Sequence, residues 1–364
     1  MKKSRLILGL VVFAGLAALV YWGRNRIHFD LGVFRAQLAQ ANWIKIALSA
    51  ACIYVAYAIR SARWAQLLKH NKKVAPFSLL GTQVMGFTAV ALIGRVADPV
   101  RPYLVAKKTG LPLSSQIAVY IVERLFDAGS MALIFSIAML WVPYADVMQA
   151  TSHSHMISLL GARSPALAAF AARYGGLVLT LLGALFLVAV RLAGNAVASI
   201  AERTFGLFSK KLGTAAGEKI RAFHAGLDTM RTFSEFGVTA GLSLLHWALI
   251  AVAYYEGIQA FSASPQLAAV TPSKCVLLMI ASGGASIFQL PILGWFTQIA
   301  IVAAALTGLF GANAEAATAC AAILLVTTFL AVIPVGLIWA RFDHVNLRKV
   351  TVESEHADQT LAKP

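Results

Sequence analysis

The chain has 364 residues, 59% of them apolar and only 13% charged, and a net charge of +16; its mean hydropathy is +0.74. Soluble domains carry about 45–50% apolar and about 25% charged residues, so a single water-soluble globule is excluded and an all-α polytopic membrane helix bundle is implied. Cys52, Cys275 and Cys320 stand apart in apolar runs, which leaves neither a disulfide framework nor a zinc ribbon, and the basic excess is first the loop-charge bias of membrane proteins, with no nucleic-acid partner implied.

Lys2, Lys3 and Arg5 precede an apolar run, Leu6 to Trp22, long enough to cross a hydrocarbon core. It ends in Tyr21, Trp22 and Arg24 without a clear small-residue cleavage site, so a retained signal anchor fits better than a cleaved signal peptide, and residues 1–42 read as anchor and external loop. Further spans centre on 43–59, 115–142, 166–190, 237–258 and 316–340. Basic flanks orient them. The amino terminus is placed in the cytoplasm, the loop holding Arg24, Arg26 and Arg35 outside against the bias, and Arg60, Arg63, Lys69, Lys72 and Lys73 inside again. Between Lys73 and Lys107 the only strongly apolar stretch is 79–93, interrupted by Gly81 and Gly86, and both flanks are basic. A re-entrant hairpin entering along 78–94 and leaving along 99–106 satisfies both flanks, provided its turn is buried or lines a wet cavity. Span 115–142 then runs outward to the loop holding His153 and His155, and 166–190 returns to a segment with seven basic residues from Arg191 to Arg231.

Residues 193–236 form a mixed connector between two membrane repeats, 43–192 and 237–341. Ile220, Phe223, Leu227 and Met230 recur at helical spacing beside Lys219, Arg221 and Arg231, which suits either a helix on the anionic cytoplasmic leaflet or a solvated connector packed on the protein. In the second repeat two short apolar pieces, 275–290 and 292–310, are separated by Gly283, Gly284 and Pro291. If they form a hairpin dipping from outside, span, hairpin and span occur twice with opposite orientation, the pattern of an inverted-repeat transporter. The count is then about six full spans plus two re-entrant hairpins. Two complete spans at 275–310 give seven to eight spans and the same orientation. The tail, 342–364, is polar and placed in the cytoplasm.

Walker, HExxH, GxSxG and CxxC signatures are absent. His153 and His155, with Asp146 as the one nearby acid, read as ordinary loop residues, so neither a metal nor a cofactor is expected. His246, inside a span, suits a proton relay or a hydrogen bond to a neighbouring helix. The informative stretch is 94–127: Gly94-Arg95-Val96-Ala97-Asp98-Pro99-Val100-Arg101-Pro102-Tyr103, then Glu123, Arg124 and Asp127 within a span. Each charge at a bilayer centre costs roughly 2.5–3.5 kcal/mol on insertion scales, so these groups should converge on partners or water. Glu123 and Asp127 share a helix face, Arg124 points about 100° away, and Arg95 or Arg101 is left as counter-ion. Such a network fastens the hairpin to the span, or holds a phosphate through the planar donor forks of its arginines.

Gly94-Arg95, Asp98, Arg101-Pro102-Tyr103, Glu123-Arg124 and Asp127, in this order and spacing, resemble the first half of the lysylphosphatidylglycerol synthase transmembrane region, a flippase-like family of bacterial and archaeal membrane proteins. That family usually carries a Pro-Gly-Gly-x-Gly-x-x-Glu turn in its second half. Here Gly283 and Gly284 are followed by Pro291-Ile292-Leu293-Gly294-Trp295-Phe296-Thr297-Gln298, so Gln298 stands where an acid is expected, and Thr327 and Thr328 lie near where an arginine is usual. The resemblance implies substrate contacts at Arg95, Asp98, Arg101, Tyr103, Glu123, Arg124 and Asp127, a second hairpin built on Gly283, Gly284, Gly294 and Gln298, and an inner-membrane location. It implies movement of an amphiphilic lipid between leaflets and not the synthase reaction, since only about twenty-four residues follow Ala340.

Three functions follow as expectations. The first is translocation of an anionic or phosphate-bearing lipid without an ATPase, with Lys107 and Lys108 attracting lipid to the cytoplasmic mouth. The second is a membrane enzyme or accessory acting on polyprenyl-phosphate, hopanoid or other lipids, with Glu123 or Asp127 as base. The third is a scaffold recruiting a cytoplasmic synthase. The expected partners are the lipid substrate, the bilayer and a lipid-modifying enzyme.

Overall fold

The structure is a computed structural model that describes residues 30–143, 165–207, 209–227, 232–285 and 293–346, with 350, 351, 353 and 354 of the tail. The signal anchor, Asp146, His153, His155, Met230, Arg231 and Pro291 lie outside the described residues. Every regular element among the described residues is helical.

Helix α1, Leu31–Ala39, begins at Asp30, whose carboxylate accepts the N–H groups of Gly32 and Val33. Asn42 caps α2, Trp43–Leu68, in the same way at Ile44 and Lys45. The expected span stopped at residue 59, but the helix continues through Arg60 and Arg63 to Leu68. No breaker interrupts it, and Trp64, Leu67 and Leu68 bury their side chains against Leu79, Val105, Val119 and Val122.

Helix α3, Leu80–Ile93, stops at Gly94, whose φ of +95° favours glycine. A short 3₁₀ turn, Arg95–Ala97, leads through Pro99 into α4, Val100–Thr109, which ends at Gly110 in the left-handed region. At about 21 Å, α3 falls short of a hydrocarbon core of about 30 Å. The chain folds back so that the two ends of this pair meet: Lys72 Nζ donates to the Thr109 carbonyl at 2.6 Å.

Helix α5, Leu113–Trp141, has 29 residues. Helix α6, Pro165–Gly206, kinks at Ala193 and returns as α7, Lys210–Leu227, packed antiparallel against it. Gly213 and Gly217 make this close approach possible, because an added Cβ at either would overlap Glu202. Arg221 grips the Glu202 carboxylate with both amino groups, at 2.8 and 2.9 Å. The connector is thus a helix packed against the end of α6.

Helix α8, Phe233–Gln259, capped by Thr232, lies along α2. A single turn, α9, Pro265–Ala268, precedes α10, Pro272–Ala285, and α11, Leu293–Phe310. Gly283 and Gly284, expected to separate the two pieces, instead lie within the last turn of α10, where glycine costs a helix little. The last apolar run is α12, Ala314–Leu325, a π turn at Val326–Leu330, and α13, Val332–Phe342. The π turn accommodates Pro334, which has no N–H and whose ring would meet the carbonyl one turn back; Ala331 N–H reaches the Val326 carbonyl at 2.7 Å.

Among the described residues, four helical stretches are long and apolar enough to cross a membrane: Trp43–Leu68, Arg173–Val190, Phe233–Gln259 and Ala314–Phe342. Helix α5 is as long but carries Glu123, Arg124 and Asp127 in its first half. The chain is therefore an all-α polytopic membrane bundle.

Candidate functional site

Four helices bring charge into the interior. From α2 come Arg60 and Arg63, from α4 Arg101, from α5 Glu123, Arg124 and Asp127, and from α8 Ser243, His246 and Trp247. Arg60, Arg63, Arg101, Glu123, Asp127, Ser243 and His246 are all buried.

Asp127 Oδ1 accepts from Arg63 Nη1 at 2.7 Å and from the Trp247 indole at 3.2 Å. Its Oδ2 lies 3.2 Å from Arg60 Nη2 and 2.8 Å from Arg124 Nη2. Glu123 Oε1 gathers four guanidiniums: Arg60 and Arg63 at 3.1 Å, Arg101 at 3.2 Å and Arg124 at 2.6 Å. The expected repulsion between two acids one turn apart is thus relieved by cations on three sides. Arg63 also donates to Ser243 Oγ at 2.8 Å, and that hydroxyl in turn donates to the Thr239 carbonyl.

His246 is committed on both nitrogens. Nδ1 lies 3.0 Å from the Ala56 carbonyl, which only a donor satisfies, and Nε2 lies 2.8 Å from Arg60 Nη2, which only an acceptor satisfies. The ring is therefore the neutral Nδ1–H tautomer. Of the two roles considered for His246, the hydrogen bond to a neighbouring helix is the one present.

Arg101 sits in an aromatic box, with its guanidinium carbon 4.6 Å from the Phe87 ring centre, 4.9 Å from Tyr120 and 5.7 Å from Trp64. Such stacking suits a planar, weakly hydrated cation. Gln83 accepts from Arg101 at 3.3 Å, and Gln116 fixes the box by accepting from Trp64 at 3.1 Å. Room for Arg101 comes from Gly86, where a methyl would overlap the arginine Cγ.

Several expected residues stand elsewhere. Arg95, expected beside Glu123 and Asp127, is half-exposed on the turn after α3 and lies 3.7 Å from Asp98. The three-residue 3₁₀ turn places this pair at the tip, while α4 carries Arg101 inward. Tyr103 faces the other side of α4 and donates to Glu353 of the polar tail at 2.9 Å. Arg124, expected to point away, curls back over Tyr120 at 5.2 Å to bridge both carboxylates. Its long side chain spans the angle that the backbone alone sets. Lys107 and Lys108 are exposed on the last turn of α4.

In the second half, Gln298 donates to Ser282 at 3.1 Å, Ser282 is 2.7 Å from the Tyr254 hydroxyl, and Gly294 is buried. Gly283 is exposed, near Met131 of α5. These residues form a neutral polar node with no acid in it.

Arg60 and Arg63 are the site residues that sequence reasoning missed, having been counted as loop charges. The signal was present: the apolar Trp64-Ala65-Gln66-Leu67-Leu68 follows them without a breaker. Trp247 and Ser243 carry no comparable signal.

The net result is four guanidiniums against two carboxylates; the Nε atoms of Arg60, Arg63, Arg101 and Arg124, and Glu123 Oε2, are buried without a hydrogen-bond partner, while Arg60 Nη1 and Arg63 Nη2 lie 3.1 Å from Glu123 Oε1. Among the described residues no group of His, Cys, Asp and Glu is placed to hold a metal ion.

A family model described as lysylphosphatidylglycerol synthase TM region matches residues 6–336 of the chain. No curated protein and no solved structure gives a significant match.

Proposed function

Because the chain belongs to the lysylphosphatidylglycerol synthase transmembrane-region family, membrane proteins related to lipid biosynthesis or transport, we propose that it moves an amphiphilic lipid with an anionic, phosphate-bearing head group between leaflets without an ATPase of its own. The observation that carries this reading is the excess of guanidiniums around Glu123 and Asp127, four against two carboxylates, each with a buried Nε–H that meets no acceptor. Uncompensated buried cations are costly, and an arriving phosphate supplies both the charge and the acceptors.

In this reading the bacterial inner membrane holds the bundle with both termini in the cytoplasm. The pair α3–α4 dips in and out from the cytoplasmic side, a geometry supported by the meeting of its two ends at Lys72 and Thr109. The charged cluster then lies about 8–21 Å along α2, α4, α5 and α8 from their cytoplasmic ends, within the hydrocarbon core. Lys107 and Lys108 gather anionic lipid at that mouth, Arg124 takes the head group with the charge of buried Arg101 behind it, and the acyl chains remain in the bilayer. A head group crosses a bilayer slowly because it must be desolvated, and a line of fixed donors lowers that cost. A reading as an acid–base catalyst with Glu123 or Asp127 as base is less favoured, since each carboxylate is already held by three or four guanidiniums.

The test is exchange of acyl-labelled phosphatidylglycerol in liposomes holding the purified protein, beside thermal unfolding in detergent. Replacing Arg101→Lys or Arg124→Lys keeps the charge but removes the fork. A charge-assisted hydrogen bond contributes about 1.5–3 kcal/mol, so exchange should slow by about ten- to a hundredfold while the unfolding midpoint stays near the parent's. Exchange at the parental rate in both variants, or exchange lost only in step with folding, removes the site assignment. Chemical conversion of the lipid would transfer the site to an enzyme.

A further inference from the structure

Resting on the translocation reading, we infer that the preferred head group carries two negative charges on one terminal phosphate, a phosphomonoester, and that Arg124 is the residue that admits it. The charge count is the first observation. Arg60, Arg63, Arg101 and Arg124 surround Glu123 and Asp127, and the hydrogen bonds of His246 hold it neutral. Two positive charges are left over. The other acids on the flanking helices are engaged away from this group, Glu235 with Lys69 and His70 and Glu256 with Lys45. A dianion balances the cluster; a phosphodiester leaves one charge over, and a zwitterionic head group leaves both while bringing a cation towards four others.

The second observation is geometric. Arg60, Arg63 and Arg101 are at most 5% exposed at the side chain, whereas Arg124 is 35% exposed. On the same helix Ile121 and Leu125 present large exposed apolar side chains, a surface for acyl chains beside the one reachable guanidinium of the cluster. Arg124 Nη2 is the shared clasp on both carboxylates, at 2.6 and 2.8 Å. When a phosphate draws Arg124 outward, Glu123 keeps Arg60, Arg63 and Arg101, and Asp127 keeps Arg60, Arg63 and the Trp247 indole. The clasp therefore opens without leaving either acid unpaired, and the head group replaces the carboxylates as the partner of Arg124.

The experiment compares exchange of acyl-labelled phosphatidic acid, phosphatidylglycerol and phosphatidylcholine in liposomes at a pH where the phosphomonoester is doubly ionised, above its second pKa of about 6. Phosphatidic acid should exchange fastest, phosphatidylglycerol more slowly and phosphatidylcholine slowest. Arg124→Gln removes one surplus charge from a half-exposed position. It should lower the ratio of phosphatidic acid to phosphatidylglycerol exchange by about tenfold, the factor that corresponds to about 1.4 kcal/mol. Equal rates for the two anionic lipids in the parent, or an unchanged ratio in Arg124→Gln, would overturn the charge-class inference while leaving translocation standing. No exchange of any of the three would overturn the translocation reading itself. Inorganic phosphate entering the liposomes with no exchange of phosphatidic acid would assign the site to a free anion and overturn the lipid reading.

Discussion

Trp295, in the first turn of α11, donates its indole N–H to the carbonyl of Ala91, in the last turn of α3, at 3.2 Å. Carbonyls in a last turn have run out of helical partners, and within a membrane there is no water to replace them. The second half of the chain thus completes the end of a helix in the first. Trp295→Phe keeps most of the ring and removes the donor, leaving a polar group unpaired at a cost of about 1–3 kcal/mol. The expected outcome is a lower unfolding midpoint in detergent; an unchanged midpoint would show that water reaches Ala91.

Gly86 and Gly129 form a matched pair of tests. A methyl at Gly86 overlaps Arg101 Cγ inside the aromatic box, whereas one at Gly129 meets nothing within 4 Å. Gly86→Ala should destabilise the protein by about 1–3 kcal/mol through overpacking and displace Arg101, so that lipid exchange falls as well. Gly129→Ala should be neutral or stabilising by up to about 1 kcal/mol. Equal unfolding midpoints for the two variants would contradict this packing around Arg101.

Single cysteines at Lys73 and Lys107 test the sidedness of the α3–α4 pair. With Lys72 Nζ on the Thr109 carbonyl, both positions lie at one end of the bundle. Both should react with an impermeant thiol reagent from the cytoplasmic side alone. Labelling of one position from each side would make this segment a complete crossing and remove the re-entrant hairpin.

Lys107 and Lys108, exposed on α4, are expected to act at a distance. A lysine near an anionic leaflet contributes about 1 kcal/mol, an attraction that salt screens. Replacing both with Gln should slow exchange most at low ionic strength, with the gap to the parent closing as salt is added. A gap that ignores salt would rule out steering.

Glu202 and Arg221 give the α6–α7 pair a defined pH response. The two guanidinium hydrogen bonds hold the Glu202 carboxyl below its usual range. A carboxylate depressed in the folded state stabilises that state above its unfolded pKa, and the contribution disappears as pH falls through the folded value. Hydrogen-exchange protection of residues 210–227, corrected for intrinsic exchange, should therefore drop towards acid pH. In Arg221→Gln the drop should be absent, with protection lower from the start. A parent insensitive to acid would mean that the Gly213 and Gly217 packing alone holds the pair.

Composition and hydropathy alone place this chain in a membrane, because 59% apolar content cannot be hidden from water otherwise. The shortness of the apolar stretch before Lys107 was equally legible, although Gly81 and Gly86, expected to interrupt it, lie inside a continuous α3 that stops only at Gly94. So was the need of Glu123 and Asp127 for buried cations, which follows from the cost of a charge in hydrocarbon. Which cations answered that need was not legible. Arg60 and Arg63 lie 67 and 64 residues before Asp127, and His246 lies 186 residues beyond Arg60. Charge counting assigns an arginine near the end of a span to a loop; only the packing of Trp64, Leu67 and Leu68 on neighbouring helices extends α2 and carries both arginines inward. Likewise the backbone angle turns Arg124 away from the two acids, and only the presence of both carboxylates beside Tyr120 draws its long side chain back. Local sequence decides where helices start and stop. Which charges meet is decided by helix packing across the whole chain, because a buried ion pair is worth its desolvation only where several elements enclose it at once.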